Sequence, residues 1–198
     1  MNNIFKKISD NVKYLLSGRK VCILGMTGAG KTRILKVLQN QPYNEHRDHQ
    51  TKGGGEPFER FICKLQNGVE LYIRKGIDYN GDDSNIIQFY EDLLSKCEIV
   101  FFVFDINKYL HDKTDYAFKV NARINYINRH KGKQIKEMVF LGTHLDEIPS
   151  DEERKKASDD FYRRIQGKTY VDVVKKFKVL DATKKKDVEK ILCELFKK

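Results

Sequence analysis

Apolar positions along this chain fall in two alternating rhythms. Lys20 to Gly25 (KVCILG) is a short, nearly continuous apolar run of strand type. Beyond a glycine-rich stretch, Ile34, Leu35, Val37 and Leu38 recur at helical spacing from about Lys31 to Asn40, until Gln41-Pro42 halts the helix. Tyr43 to Pro57 holds almost no apolar residues and contains Lys52-Gly53-Gly54-Gly55, the composition of a mobile loop. Phe58–Leu65 and Val69–Ile73 then alternate around Gln66-Asn67-Gly68, and Asn-Gly between two β-rich runs signals a hairpin. From there the pattern predicts a helix near Ser84–Ser95, a strand Ile99–Phe104, a helix Asp115–His130 and a strand Glu137–Leu141. A helix near Glu152–Ile165, a short strand Phe177–Leu180 and a helix near Lys186–Phe196 complete it. At the other end, Ile4, Phe5, Ile8, Val12, Leu15 and Leu16 share one helical face, so residues 1–18 read as an amphipathic extension to a domain of 19–198.

Strands alternating with helices predict an α/β fold, a three-layer sandwich around a six-stranded, mostly parallel sheet with one antiparallel hairpin strand. The 198 residues, 40% of them hydrophobic, suffice for one core. No apolar run approaches the roughly 18 residues needed to span a bilayer, and the N-terminus lacks the apolar block of a signal peptide, so a cytoplasmic location is expected. The four cysteines (Cys22, Cys63, Cys97, Cys193) show no metal-type pairing and read as small buried hydrophobes. The net charge of +10 comes from lysines spread along the whole chain. The clusters Lys175-Lys176-Phe177-Lys178 and Lys184-Lys185-Lys186 read as solvated faces, with no aromatic-interleaved motif to indicate nucleic acid.

One motif carries chemistry. Gly25-Met26-Thr27-Gly28-Ala29-Gly30-Lys31-Thr32 fits GxxxxGK[ST] and lies between a strand and a helix, with Arg33 following in the same run. Glycines let successive backbone N–H groups turn inward around phosphates, and the helix N-terminus favours the same anion. Lys31 would reach the β- and γ-phosphates, and the Thr32 hydroxyl would coordinate Mg²⁺.

Downstream residues resemble the Ras-like small GTPase superfamily, with a likeness to the ADP-ribosylation-factor branch. The resemblance spans about residues 20 to 196 and implies a P-loop NTPase of the Ras-like G-domain type. It rests on Asp78-Tyr79-Asn80-Gly81 (DxxG), on Thr143-His144-Leu145-Asp146 in the place of [NT]KxD, and on Asp181-Ala182-Thr183 in the place of the short SAK-like loop. It implies GTP/GDP with Mg²⁺ as cofactors. By the same resemblance Asp78 holds Mg²⁺ through water, the Gly81 N–H meets the γ-phosphate, and Thr51 closes on both metal and γ-phosphate. Asp146 would accept from the guanine ring N–H and amine, a pair adenine cannot offer, while Ala182 and Thr183 would approach the guanine carbonyl. His144 stands where the family has lysine, and its imidazole can still stack on the base.

Other departures bear on turnover. Asp82, followed by Asp83, occupies the place of the water-positioning glutamine, and a carboxylate near the γ-phosphate repels it, so slow intrinsic hydrolysis is expected. Thr27 replaces a small residue and would crowd an arginine finger. Arg74 and Lys75 read as an exposed basic strand end. Asn2 excludes N-myristoylation, which leaves only amphipathic contact of 1–18 with anionic membrane, against simple packing on the domain. The reading is a nucleotide-state switch recruiting protein effectors through Tyr43–Pro57 and Asp78–Ser95. Its alternatives are a GTP/GDP-binding assembly module without turnover and a P-loop ATPase or kinase.

Overall fold

A computed structural model describes residues 19–42, 56–78, 86–112 and 114–196. Strand β1 (Val21–Gly25) is buried at every position, as expected of a parallel strand covered on both faces. Helix α1 (Lys31–Leu38) leaves the phosphate-loop motif and buries Ile34, Leu35, Val37 and Leu38. Then come β2 (Glu56–Phe58), β3 (Phe61–Lys64), β4 (Glu70–Ile73), β5 (Gly76–Asp78) and α2 (Ile86–Lys96). Strand β6 (Ile99–Asp105), buried throughout, runs directly into a short helix α3 (Ile106–His111), followed by α4 (Tyr116–His130) and β7 (Glu137–Thr143). Helix α5 (Asp151–Ile165), strand β8 (Phe177–Val179) and helix α6 (Lys185–Leu195) close the chain. The main sheet has the order β2-β5-β1-β6-β7-β8. All neighbours pair in parallel except β2, which is antiparallel to β5.

The hairpin differs from its expected form. The Asn-Gly turn joins β3 to β4, and this pair stands as a separate two-stranded sheet. The antiparallel edge of the main sheet is β2, one step earlier in the chain. Both pairings nevertheless share one register: Phe61 faces Ile73 and Lys64 faces Glu70, while Glu56 faces Asp78 and Phe58 faces Gly76. They are one long ribbon whose ladder is interrupted at Glu59-Arg60 and Arg74-Lys75. At that break the ribbon changes neighbour: Arg19 donates to the Tyr72 carbonyl (2.6 Å) and accepts from Arg74 N–H (2.9 Å). The turn itself spans Gln66-Asn67-Gly68, with Gly68 at φ 79°, the left-handed position of a three-residue hairpin loop. Its tip is held on α6, where Asn67 donates to the Cys193 carbonyl (3.0 Å) and Gln66 to Glu189 (2.7 Å).

The core beside β6 and β7 is aromatic. Phe161 of α5 lies 4.1 Å from Phe177 and 5.2 Å from Phe104 between ring centroids, and Tyr109 of α3 lies 5.1 Å from Phe161. Burying each such ring is worth about 1.5–3 kcal/mol, which fixes the α3 and α5 side of the sheet. Among the described residues no helix is long and apolar enough to cross a membrane. Cys22, Cys63 and Cys97 are buried and Cys193 is partly so. Burial pushes the Cys63 thiol up to about 12, as suits packing rather than reactivity.

Candidate nucleotide site

In a parallel sheet every strand delivers its C-terminal end to the same edge, and ligands bind there. β1 ends at Gly25, β6 at Asp105, β7 at Thr143 and β8 at Val179, so the motifs distant in sequence meet at that edge. Asp78 ends β5 level with Ile23, two residues short of the end of β1, which brings the first residue of DxxG towards the same edge.

The loop after β1 has the backbone its glycines permit. Gly25, Gly28 and Gly30 have φ of 142°, 72° and 82°. Gly25 has a second reason to be glycine, since a Cβ there would lie 1.9 Å from the Val103 carbonyl oxygen. Met26 N–H donates to that same oxygen (2.9 Å) and ties the loop to β6. Lys31 is buried, and its ammonium donates across the loop to the Met26 carbonyl (2.9 Å), with the Gly25 carbonyl at 3.5 Å. Thr27 and Gly28 are exposed at the loop's crest and Ala29 is buried beneath it. Thr32 lies in the first turn of α1, and Arg33 is buried with its N–H donating to the Gly30 carbonyl (3.1 Å).

Thr143 is fully buried at the end of β7. Its hydroxyl oxygen lies 2.9 Å from the Ala29 carbonyl and 3.1 Å from the Phe104 carbonyl, so one proton serves two acceptors. With that proton directed at carbonyls, His144 Nδ1, 3.0 Å from the same oxygen, must be the donor. The buried Asp105 carboxylate, 3.6 Å from Nδ1, favours the same tautomer. His144 adopts φ 59°, a left-handed turn that swings the chain into a 3₁₀ turn, Leu145–Glu147. Asp146 within that turn is exposed, and Arg154 of α5 holds the turn from behind, donating to the carbonyls of Asp146 (3.2 Å) and Ile148 (2.8 Å).

The loop after β8 completes the edge. Asp181 Oδ1 accepts from the Thr183 N–H (2.8 Å) and hydroxyl (2.5 Å), and Lys184 lies 3.1 Å from Oδ2. Burial alone would raise the Asp181 carboxyl, but the Thr183 bonds and the Lys184 ammonium outweigh it and hold the group below its ordinary value. The ring of bonds folds Ala182 inward. Its Cβ would stand 3.5 Å from a Cβ on Gly30, with Thr143 Cγ2 at 4.0 Å. The phosphate loop, the THLD segment and the DAT segment therefore meet around Gly30.

Sequence reading singled out neither Asp105, Arg154, Tyr90 nor Arg123, all of which shape this edge. Asp105 caps α3 by accepting from Lys108 N–H (2.9 Å). Its signal was present: an aspartate ending a wholly apolar strand. Arg123 lies on the apolar stripe of α4 with Val120, Ile124 and Ile127, and a cation at such a position is itself a mark of a specific partner. Thr51, Gly81, Asp82, Asp83 and the segment Lys52 to Gly55 lie outside the described residues, as do residues 1–18. Among the described residues no cluster of three or more His, Cys, Asp or Glu could hold a metal.

No protein-family model and no curated protein matches this chain. Among solved structures it is similar to a point variant of Aquifex aeolicus Era bound to GDP.AlF4-, at 12% identity and a TM-score of 0.57, over 92% of this chain. The chain spans 58% of the length of that protein. The likeness is one of architecture.

Proposed function

We propose that the chain binds guanine nucleotide with Mg²⁺ and acts as a slowly hydrolysing nucleotide-state switch. The observation that carries this reading is the meeting of three loops at Gly30, where Thr143 and Ala182 close on the phosphate loop from two other strands. A phosphate loop alone would suit any nucleoside triphosphate. The loops after β7 and β8 are where a base would lie, and the exposed Asp146 stands there with two acceptor oxygens. A carboxylate matches the adjacent ring N–H and amine of guanine, whereas adenine would leave it unpaired. The similar structure, Era bound to GDP.AlF4-, holds a guanine nucleotide and supports the choice of base.

Mg²⁺ suits the residues present. It keeps several waters and is held by one or two protein groups together with phosphate oxygens. Thr32 at the start of α1 and Asp78 at the end of β5 are of the right chemistry and on neighbouring elements. The ion would neutralise charge between phosphate oxygens; the chain's own part is to orient those phosphates through loop N–H groups and Lys31. Asp82 in the water-positioning place supports slow turnover. The small-GTPase branch, Thr51 and Gly81 as γ-phosphate contacts, effector binding through the two switch segments and contact of residues 1–18 with anionic membrane belong to the same proposal, on sequence grounds. The test is titration with fluorescent GDP, GTP and ATP analogues in Mg²⁺: a guanine preference supports the reading, and equal binding of ATP overturns it.

A further inference from the structure

The first residue of the phosphate loop is held in an unusual way. Gly25 is the last residue of β1, in register with Val103 of β6, and both of its own backbone groups take side-chain partners from helices. Its N–H donates to the Tyr90 hydroxyl (3.2 Å), and its carbonyl accepts from the Arg123 guanidinium (3.1 Å). Tyr90 lies on α2 and Arg123 on α4, 65 and 98 residues away in sequence, and they are only 4% and 5% exposed. Arg123 also donates to the Tyr90 hydroxyl, so the three groups form a closed ring. Burial pushes the Tyr90 hydroxyl up, against the opposing pull of Arg123 and of the Gly25 bond, so it stays a neutral hydroxyl.

We propose that Tyr90 and Arg123 are positioning residues that clamp Gly25 from two helices and thereby set the shape of the phosphate loop and its affinity for a nucleotide's phosphates. The proposal rests on reading this loop as a nucleotide site. Gly25 can hold its φ of 142° only because it lacks a Cβ, and the same freedom would let it leave that conformation. The clamp removes that freedom by engaging donor and acceptor at once. A buried guanidinium is costly unless its fork is used, and here one buried carbonyl of the phosphate loop and one hydroxyl use it. The clamp has a second consequence. Helix α2 begins at Ile86, shortly after the DxxG segment, and Tyr90 is in its second turn. One residue on, Glu91 accepts from Tyr126 of α4 (2.9 Å) and lies 3.2 Å from His130 Nδ1. The seat of α2 on α4 and the shape of the phosphate loop are thus tied together at Gly25.

The experiment compares wild type, Tyr90→Phe, Arg123→Lys, Arg123→Met and the Tyr90→Phe/Arg123→Met double variant. Dissociation constants are measured for fluorescent GDP and ADP with Mg²⁺, and melting temperatures alongside. Arg123→Met should weaken binding about tenfold and Tyr90→Phe about threefold, the sizes of one charge-assisted and one neutral hydrogen bond. Arg123→Lys should recover part of the loss, because an ammonium reaches the carbonyl without the fork. The double variant should lose less than the product of the single losses, since both act through Gly25. Unchanged dissociation constants with lowered melting temperatures would show a merely structural role and overturn the proposal, as would independent, multiplicative effects. Tyr90→Phe keeps the ring and decides the matter if the arginine variants do not fold. If wild type takes ADP as readily as GDP, the guanine reading fails while the same proteins measured with ADP still test the clamp. Binding of neither nucleotide by wild type would overturn both.

Discussion

Replacing Thr143 with valine isolates the bond that joins the THLD segment to the phosphate loop. Valine matches threonine in shape, so packing at this fully buried position is preserved and only the hydroxyl is lost. Two carbonyls lose a donor. The Ala29 carbonyl, 2.9 Å from the hydroxyl, lies in a loop with no strand ladder to replace it. The His144 Nδ1–H also loses its nearest acceptor, at 3.0 Å, and must turn to Asp105. A buried polar group left unsatisfied costs about 1–3 kcal/mol. For a domain of this size that lowers the melting temperature by roughly 2–4 °C per kcal/mol. Differential scanning fluorimetry with and without GDP is the assay. The ligand-free melt should fall by several degrees, and the stabilisation by GDP should shrink, because Ala29 is part of the loop proposed to hold the phosphates. Thr143→Ser keeps the hydroxyl and should retain the GDP shift. If Thr143→Val melted as wild type and kept its full GDP shift, the hydroxyl would not be holding the loop, and the argument from the convergence at Gly30 would be wrong.

Three further outcomes follow from the same geometry. Gly25→Ala places a methyl 1.9 Å from the Val103 oxygen, so the loop must move; folded yield by circular dichroism should drop, and any refolded protein should have lost nucleotide binding. Lys31→Met removes the ammonium that donates across the loop to the Met26 carbonyl, and should weaken GTP-analogue binding about tenfold or more by fluorescence titration. Asp181 has a folded-state pKa below its ordinary value of 3.8, so its contribution to stability is fully present above that range and is lost as pH falls through the lower folded-state value. Chemical denaturation from neutral pH to about pH 3 should therefore show a shallower acid loss in Asp181→Asn than in wild type.

The sequence revealed elements better than it revealed their junctions. Runs such as Ile99–Asp105, with every side chain buried, leave no doubt about a doubly covered strand, and the helical stripes of α1, α4 and α6 lie within a residue or two of their expected ranges. Helix α3 escaped, because six residues starting at an Asp cap are too few for periodicity to register. The hairpin was legible from Asn67-Gly68, but its division between two sheets was not. That division depends on Arg19 pairing with the ribbon at Tyr72 and Arg74, a long-range backbone contact without a side-chain pattern. At the candidate site, the position of the glycine-rich loop and of the THLD and DAT segments at one sheet edge could be read from their place after strands. Tyr90 and Arg123 could not, because their role is to satisfy the two backbone groups of one glycine, which have no signature in the glycine's neighbours. Arg123 did leave one trace, a charge on an otherwise apolar helical face.

The measurement that bears most directly on a guanine-nucleotide site is the base preference of wild type and Asp146→Asn. Dissociation constants would be taken for GDP, ADP and xanthosine diphosphate in Mg²⁺. A carboxylate accepts from guanine's ring N–H and amine. An amide there presents one donor and one acceptor, which match the carbonyl and ring N–H of xanthine. The account predicts that wild type prefers GDP and that Asp146→Asn loses GDP while gaining the xanthine nucleotide. An unchanged preference for GDP in the variant, or equal binding of ADP by wild type, would contradict it.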